Sequence, residues 1–437
     1  MTKGYLRYAL AVIFFANFLS YLDRQVIATM EAELSKPLMH GGIGITATEF
    51  GFIGSAFTIG YMVFAPIVGY LITRQRRPLI FALCVLVWSL ATVGSGLAPN
   101  KWVLYGTRFF IGVGEAGCLV IGPTLLSDYF TKEVRGRVLS IFFLALPLGG
   151  ACGYIVGAQI TKHLNWHWAF FLAGAPGFLV GALIWFLVDP RSSEEPAAPA
   201  AWPAAPAAPA EPDGPGAHGH AAPAGVALRD YLGLLSNRTL LFIILAQAFA
   251  VMFLQPFMHF GINFFEEERH LPKDKAALTL ASIALVAGAM GNALSGFLGD
   301  RLAGRLRGAY ALMAGVAFCV GMPFMIVGFS STNIPLACGA LGIGAFCYFL
   351  CMPAVNTQIA NSVSADKRAM AYALAVFILH CLGDTAALPA FGAVSTAVGT
   401  KEKAYLIFSG ALLLAGLSCF MAARFATRQE TPKAPAS

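Results

Sequence analysis

Two charged residues interrupt a stretch that is otherwise apolar and long enough to cross a bilayer. The stretch begins with Arg108, ends with Asp128 and carries Glu115 in its apolar part. A charged group at bilayer depth costs roughly 2.5 to 3.5 kcal/mol on translocon scales, so it faces a bundle interior or a wet cavity. Arg108 and Glu115 lie about two helical turns apart, roughly 10 Å along one face, where we expect them to interact. Gly112 and Gly114 keep the helix thin for close packing. The pattern predicts a helix that lines a polar pathway.

The composition places this helix in a membrane protein. The chain has 437 residues, of which 58% are hydrophobic and 12% are charged, whereas soluble domains carry about 25% charged residues. The nine cysteines fall in apolar runs without a CxxC pair, which favours small buried side chains over disulfides or zinc ligands. The net charge of +7 does not require nucleic acid, because basic residues accumulate in cytoplasmic loops of membrane proteins.

A transmembrane helix needs about 20 apolar residues, and this length predicts an all-α membrane protein with twelve spans. The predicted spans are approximately 8–29, 50–72, 79–98, 103–128, 138–161, 168–188, 240–262, 276–298, 309–329, 335–360, 369–398 and 404–423. The first span lacks a signal-peptide cleavage pattern and is expected to be retained. We expect an N-terminal six-helix bundle over 1–188, a cytoplasmic Pro/Ala-rich linker over 189–237, a C-terminal six-helix bundle over 238–424 and a cytoplasmic tail over 425–437.

The loops set the orientation. Most of the 29 Lys and Arg residues fall in loops on the side of the two termini, which predicts that both termini are cytoplasmic. Residues 196–225 of the linker hold eight of the 24 prolines, mostly in Pro-Ala-Ala units, which predicts an extended or disordered segment. His218 and His220 lie there, but two histidines do not make a metal site. We expect no metal and no cofactor.

Further titratable residues fall inside predicted spans. Asp23 lies about fifteen residues into the first span, at a depth comparable to that of Arg108. His380 and Asp384 are one helical turn apart on one face of the eleventh span. An imidazole beside a carboxylate titrates in the physiological range. These residues are either proton-sensitive groups or fixed polar pairs that hold helices together, and the residue types leave both interpretations open.

Aromatic, methionine and amide side chains in the seventh and tenth spans predict the lining of a cavity. Such surfaces adapt to apolar ligands. The candidates for substrate contact are Gln255, His259, Tyr348 and Asn356, and the alternative for each is contact with lipid or with a neighbouring helix. A mixed lining of this kind suits an amphipathic substrate with an acidic head.

The two halves of the chain repeat one another. A basic loop with Arg74 and Arg77 follows the second span, and the run GFLGDR, which contains Asp300 and Arg301, follows the eighth. Parallel six-helix repeats around a cavity are a transporter architecture. The loop with Asp300 is similar to the signature loop of the major facilitator superfamily, in which an aspartate and arginines latch neighbouring helices on the cytoplasmic side.

The resemblance implies the two-bundle fold of that superfamily and a gating role for Asp300 and Arg301. We also assign gating to Asp128, Arg135 and Arg137, which we expect to form a cytoplasmic salt-bridge network. The first-half loop departs from the family pattern because GYLITR, from Gly69 onward, has no aspartate. We therefore expect the second-half latch to dominate.

Within the superfamily, four stretches resemble the spinster-like branch. They are 17–27 (NFLSYLDRQVI), 108–130 (RFFIGVGEAG with IGPTLLSDYF), 165–177 (NWHWAFFLAGAPG) and 380–384 (HCLGD). The resemblance implies alternating access with proton coupling through Asp23 and Glu115. It makes Arg24 and Arg108 their partners or substrate anchors. Eukaryotic spinster-like proteins are associated with lysolipids and sphingoid phosphates.

These observations predict a secondary active transporter, not an enzyme, that moves an amphipathic or anionic organic solute across a cell inner membrane. We expect proton coupling through Glu115 and Asp23, with His380 and Asp384 as a second proton-sensitive pair. The alternatives are a small organic anion or drug/proton transporter of the same superfamily, and a uniporter with purely structural buried charges. The expected partners are protons, the lipid bilayer and a small-molecule or lipid-like substrate, with no nucleic acid, and we expect a monomer.

Overall fold

A computed structural model describes residues 2–130, 132–190, 233–303, 305–306, 308–363 and 367–429. Over this part of the chain the regular secondary structure is entirely helical. Twelve of the helices found there are long and apolar enough to cross a membrane. Each corresponds to one of the twelve predicted spans, so the predicted fold class is confirmed.

The helices alternate in direction between two faces. In the first half they are α1 (Lys3–Val26), α2 (Ala47–Arg74), α3 (Arg77–Gly96), α4 (Lys101–Tyr129), α5 (Lys132–His163) and α6 (Trp166–Trp185). In the second half they are α7 (Arg238–Glu267), α8 (Lys273–Ala303), α9 (Ala309–Ser330), α10 (Ile334–Asn361), α11 and α12 (Lys401–Gln429). α11 joins an α-helix (Arg368–Leu379), a π-helical turn (His380–Thr385) and a second α-helix (Ala387–Val398). We call the face where α1 begins and α12 ends the terminal face, and the other the opposite face.

Short polar side chains fix where several helices begin. Thr46 and Glu49 form a reciprocal capping box at the start of α2. The side chains of Asn100, Asn237 and Asn333 accept hydrogen bonds from backbone N–H groups in the first turns of α4, α7 and α10. Such caps satisfy backbone donors that have no partner inside the helix. They explain why these helices begin a few residues before the apolar runs.

The six helices of each half pack mainly against one another. In the first half α1 packs against α5 and α6, α3 against α4 and α6, and α2 against α4. In the second half α9 packs against α10 and α12, α7 against α12, and α8 against α10. The pairings of the two halves follow the same pattern, as expected for structural repeats.

The two halves meet near the opposite face. α2 packs against the last part of α11, and α5 packs against α8. A Cβ atom on Gly392 of α11 would lie 2.4 Å from the carbonyl oxygen of Ala47 in α2, so only glycine permits this approach. Tyr154 of α5 donates a hydrogen bond of 2.8 Å to the carbonyl of Met258 in α7. This packing closes the opposite face.

The linker prediction for 189–237 falls largely outside the described residues, as do His218 and His220. The end of the predicted tail, 430–437, lies outside them as well. α12 continues through Gln429, so residues 425–429, which we assigned to the tail, are helical. A helix extends past its apolar run because each added residue gains one backbone hydrogen bond.

Candidate functional site

Asp23 is fully buried where α1 meets α3 and α4. Its Oδ2 atom accepts hydrogen bonds from Trp88 Nε1 at 3.2 Å and from Thr92 Oγ1 at 3.1 Å. Arg108 Nη1 of α4 lies 3.9 Å from the same oxygen. Trp88 and Thr92 are one helical turn apart on α3, which brings both donors to one carboxylate. Three partners from two helices therefore hold this side chain.

Arg24, the next residue of α1, pairs with Glu115 of α4. Arg24 Nε donates a hydrogen bond of 2.5 Å to Glu115 Oε2. The guanidinium carbon also lies 4.9 Å from the ring centroids of Tyr21 and Phe57 and 5.5 Å from that of Tyr61. Aromatic faces attract a cation. Arg24 is thus held between a carboxylate and three aromatic rings.

Each of these four charged side chains has at least one buried polar atom without a hydrogen-bond partner among the described residues. Among the described residues, no hydrogen-bond partner lies near Asp23 Oδ1, Arg24 Nη2, Arg108 Nε and Nη2, or Glu115 Oε1, all of which are buried. An unsatisfied buried polar group costs about 1–3 kcal/mol, so each such group calls for an explanation. The cluster has the capacity to bind protons on its carboxylates and an anion on its guanidinium groups.

The structure shows which arginine of the cluster pairs with which carboxylate. We expected Arg108 to act on Glu115, and the resemblance implied both Arg24 and Arg108 as partners of the carboxylates. The hydrogen-bonding partner of Glu115 is Arg24, and Arg108 lies beside Asp23. Arg108 and Glu115 are two turns apart on α4, whereas Asp23 and Arg24 are adjacent on α1. Adjacent residues point about 100° apart on a helix, and this divergence lets each reach a separate charge.

α4 is thin at the cluster, as its glycines predict. A Cβ atom on Gly112 would lie 2.0 Å from the carbonyl oxygen of Phe57 in α2. Glycine therefore lets the α2 backbone approach α4 closely. The approach brings the rings of Phe57 and Tyr61 to the guanidinium of Arg24, so the spacing of the helices creates the aromatic surroundings of the cluster.

The second half carries its own acidic and basic pair. His380 Nδ1 and Asp384 Oδ2 lie 2.5 Å apart within the π-helical turn of α11. The ring centroid of Tyr61 lies 6.0 Å from that of His380, and Ser55 Oγ of α2 donates a hydrogen bond of 2.8 Å to the Thr385 carbonyl. Tyr61 therefore contacts Arg24 on one side and His380 on the other. It connects the charged groups of the two halves.

His259, a predicted substrate contact, lies in the closed contact between the halves. Its Nε2 atom is 3.3 Å from the carbonyl oxygen of Phe50 in α2. The two rings are 4.4 Å apart between centroids. In this conformation His259 packs against the first half.

The other three predicted substrate contacts lie within the second half. Gln247 Nε2 of α7 donates a hydrogen bond of 3.3 Å to Asn356 Oδ1 of α10. Tyr348, also on α10, is buried, and its hydroxyl has no hydrogen-bond partner among the described residues. Gln255 is partly buried on α7. Tyr348 and Asn356 thus lie on one helix, while Gln255 and His259 lie on another.

The gating prediction gains a residue that the sequence did not single out. Arg77, fully buried at the start of α3, reaches Asp128 Oδ2 with Nη1 at 2.6 Å and Asp189 Oδ1 with Nη2 at 2.6 Å. Asp189 Oδ2 also accepts a hydrogen bond of 2.9 Å from the Arg77 backbone N–H. Asp128 therefore does belong to an ion-pair network on the terminal face, and Arg77 is at its centre.

For the remaining gating candidates the structure gives few side-chain positions. The side chains of Arg135, Arg137 and Asp300 lie outside the described residues, and Arg301 is exposed near the end of α8. The first-half loop has no aspartate, yet Arg77 builds a first-half network with Asp128 and Asp189. The expectation that the latch at Asp300 dominates stays a prediction.

The contributors missed from the sequence include Trp88, Thr92, Tyr61 and Arg77. An indole and a hydroxyl one turn apart inside an apolar span were the available signal for Trp88 and Thr92. For Arg77 the signal was its position directly before Pro78, which marks a helix start. Nothing in the sequence distinguished Tyr61 from other aromatic residues of the spans.

Comparison with known proteins places the chain in a family. The model of the Major Facilitator Superfamily matches residues 13–387. "Protein spinster" of Drosophila melanogaster is 28% identical over 409 residues, covering 90% of this chain and 62% of that protein. "Sphingosine-1-phosphate transporter SPNS2" of Mus musculus is 35% identical over 181 residues, covering 41% of this chain and 32% of that protein. The chain spans less than two thirds of the length of these relatives.

Solved structures share the fold. A bacterial homolog of the human lysosomal transporter Spinster, in an inward-facing and unoccupied conformation, aligns with a TM-score of 0.83 at 19% identity. The alignment covers 99% of this chain and 100% of that one. The inward-facing and occupied conformation of such a homolog aligns with a TM-score of 0.74 at 20% identity, covering 100% of both chains. Identities this low establish the fold alone.

The relatives confirm the predicted resemblance to the spinster-like branch. Members of this superfamily are transporters rather than enzymes, which confirms that expectation. The match to the superfamily model spans most of the chain, and the twelve apolar helices agree with a multi-pass membrane protein. The chain is a multi-pass membrane protein that belongs to the major facilitator superfamily.

Proposed function

We propose that the chain is a secondary active transporter that moves an amphipathic or anionic organic solute by alternating access, with proton coupling through Glu115 and Asp23. The observation that carries the proposal is the buried Arg24–Glu115 pair. Its two side chains hold one another at 2.5 Å, yet Arg24 Nη2 and Glu115 Oε1 have no hydrogen-bond partner among the described residues. Ionisable residues in such positions mark substrate and proton pathways in membrane proteins.

The pair links a proton to an anion because both act on the same bond. An ionised Glu115 holds the Arg24 guanidinium. A proton on Glu115 neutralises the carboxylate and releases Arg24 to an anionic group of a solute. Binding of the proton and binding of the solute are therefore coupled, and such coupling is reciprocal.

Asp23 has a different part in the proposal. Its Oδ2 atom has Trp88, Thr92 and Arg108 as partners, whereas Glu115 has the Arg24 bond. In the proposal Glu115 is the group that changes protonation, because its ion pair holds Arg24, and Asp23 keeps Arg108 in place until the cluster rearranges. His380 and Asp384 form the second proton-sensitive pair, reached through Tyr61.

The substrate class follows from the surroundings of Arg24. A guanidinium with a spare donor suits a phosphate or carboxylate, and the rings of Tyr21, Phe57 and Tyr61 beside it suit an apolar chain. Lysolipids and sphingoid phosphates combine these two features. The mouse relative named a sphingosine-1-phosphate transporter supports this class, with Gln255, Tyr348 and Asn356 as further contacts from the second half.

The arrangement in the membrane is part of the proposal. The excess of basic residues near the terminal face supports cytoplasmic termini in a cell inner membrane. The opposite face then points outward. With its halves packed together there, the chain is in a conformation that is closed to the outside, and we propose that it works as a monomer.

The test is proton movement in liposomes that contain the purified protein. Lysolipids and sphingoid phosphates are added beside small carboxylates, and proton uptake or release is followed with a pH-sensitive dye. We expect one class to drive proton movement in the wild-type protein and Glu115→Gln to abolish it. Glu49→Gln is the matched control, since Glu49 pairs with Lys101 on the opposite face and glutamine preserves the capping box.

The two alternatives are separate outcomes of the same assay. Solute movement at a rate indifferent to pH in both proteins identifies a uniporter with structural charges. Proton movement with small carboxylates alone identifies an organic anion transporter. Full proton movement in Glu115→Gln contradicts the proposed coupling.

A further inference from the structure

Three charged residues meet at the opposite face, away from the cluster around Arg24. Lys401 Nζ at the start of α12 lies 3.4 Å from Glu31 Oε1 and 2.6 Å from Glu267 Oε2 at the end of α7. Glu31 lies on a short helix, Glu31–Leu34, that follows α1. It is 4% exposed, and Lys401 is 8% exposed. We call these three residues the Glu31 cluster.

The Glu31 cluster crosses from one half to the other. Glu31 belongs to the first half, whereas Lys401 and Glu267 belong to the second. The short helix that carries Glu31 also packs against α7, and its Leu34 belongs to the same apolar cluster as Phe264 of α7. Any movement that opens the opposite face must therefore separate Glu31 from Lys401 and expose the apolar contact.

Other charged pairs across this face are more exposed. Lys162 Nζ of α5 lies 2.9 Å from Asp274 Oδ2 of α8, with side chains that are 48% and 27% exposed. Exposed pairs of this kind contribute little, because water and salt screen them. Glu31 is the buried carboxylate among these contacts, so its ionisation matters most for closure.

The charges of the Glu31 cluster do not balance. One ammonium group serves two carboxylates, and Glu31 Oε2 has no hydrogen-bond partner among the described residues. The charged and titratable groups that face Glu31 are Lys401 and Tyr405 of α12 and Glu266 and Glu267 of α7. Burial, which outweighs the attraction of Lys401, raises the pKa of Glu31 to about 7.

We propose that Glu31 is a proton-operated latch, whose protonation holds the opposite face closed and whose ionisation favours its opening. The proposal rests on alternating access as the proposed function. A protonated Glu31 removes the surplus negative charge, and Lys401 keeps its 2.6 Å partner Glu267. An ionised Glu31 is buried and shares the one ammonium group of Lys401 with Glu267. Opening the face exposes this carboxylate to water, which lowers its free energy.

The direction follows from linkage. In the closed conformation the Glu31 carboxyl has a pKa of about 7, whereas a carboxyl in water has a pKa of about 4.3. The closed form therefore binds the proton more tightly, so acidification favours it. The ratio of closed to open molecules should rise about tenfold between pH 8.5 and pH 6, the factor for one such group.

The test is a distance measured across the opposite face of the full chain in liposomes. Spin labels are attached through non-natural residues at Met39 and Thr332, which lie in opposite-face loops of the two halves and are exposed. This labelling leaves the nine native cysteines unchanged. We expect the short-distance population to grow on acidification in the wild-type protein and to be large at both pH values in Glu31→Gln.

Asp274→Asn is the matched control, because it neutralises a more exposed carboxylate on the same face and should keep the wild-type pH response. A second variant, Lys401→Met, leaves two carboxylates unpaired and should reduce the short-distance population at pH 8.5. An unchanged pH response in Glu31→Gln, or no response in the wild-type protein, overturns the proposal. Glu115→Gln should keep the distance response while losing proton movement, so a failure of the proposed function is distinguishable from a failure of the latch.

Discussion

Arg24 Nε and Glu115 Oε2 lie 2.5 Å apart, and the carboxylate side chain is completely buried. The bond joins α1 to α4 inside the first half. Its two members were each identified from the sequence, which left open which arginine pairs with which carboxylate. Their pairing turns two separate buried charges into one unit, in which a change at either residue is felt by the other.

Removing Arg24 alone should destabilise the protein strongly. Arg24→Gln leaves the Glu115 carboxylate buried without its cation, and breaking a buried pair in this way costs about 3–5 kcal/mol. The double variant Arg24→Gln/Glu115→Gln removes both charges and should be more stable than Arg24→Gln. Thermal unfolding in detergent measures these two variants and the single variant Glu115→Gln. If the double variant loses the sum of the two single losses, the pair is not an energetic unit.

Arg77 should not tolerate replacement by lysine. The guanidinium reaches Asp128 and Asp189 at once, and a single ammonium group lacks the planar fork that makes this possible. We expect Arg77→Lys to cost about 1–3 kcal/mol, the range for a lost buried hydrogen-bond partner. Arg76→Lys, at the exposed neighbouring residue, should change stability by less than about 0.5 kcal/mol. Equal unfolding temperatures for the two variants would rule out the network.

A side chain at Gly392 should force the opposite face apart. The first added carbon would lie 2.4 Å from the Ala47 carbonyl oxygen, and overpacking of this kind costs about 1–3 kcal/mol. We expect Gly392→Val to lengthen the distance between labels at Met39 and Thr332. Gly410→Val is the control, because a Cβ there meets nothing within 4 Å. A short label distance retained in Gly392→Val would contradict the prediction, because the α2–α11 contact would then have absorbed the added side chain without separating the halves.

The fold was predictable because the bilayer constrains it. Length and apolar content decide whether a segment spans, so the twelve spans were found from the sequence alone. The charged residues Asp23, Arg24, Arg108 and Glu115 were found for the same reason, since charges inside spans are rare and costly. Apolar span length therefore identified the helical membrane protein, and the positions of charges inside the spans identified the members of the cluster.

The partners within the cluster were not predictable, because pairing depends on how helices rotate about their axes. Spacing along α4 suggested Arg108 as the neighbour of Glu115, whereas α1 supplies Arg24 from another helix. Arg77 was counted with the basic loop, although its position at the first residue of α3 buries it. Glu31 fell in a predicted loop, where burial against the second half was invisible in the sequence.

The π-helical turn His380–Thr385 in α11 determines the direction in which the side chains of the following helix, Ala387–Val398, point. A π-helical turn accommodates an additional residue, which offsets the helix Ala387–Val398 by about 100° from an uninterrupted α-helix. With this offset Gly392 points at Ala47, and an uninterrupted helix would present a bulkier side chain there. The same turn that holds His380 against Asp384 thus directs a glycine of α11 toward the crossing with α2.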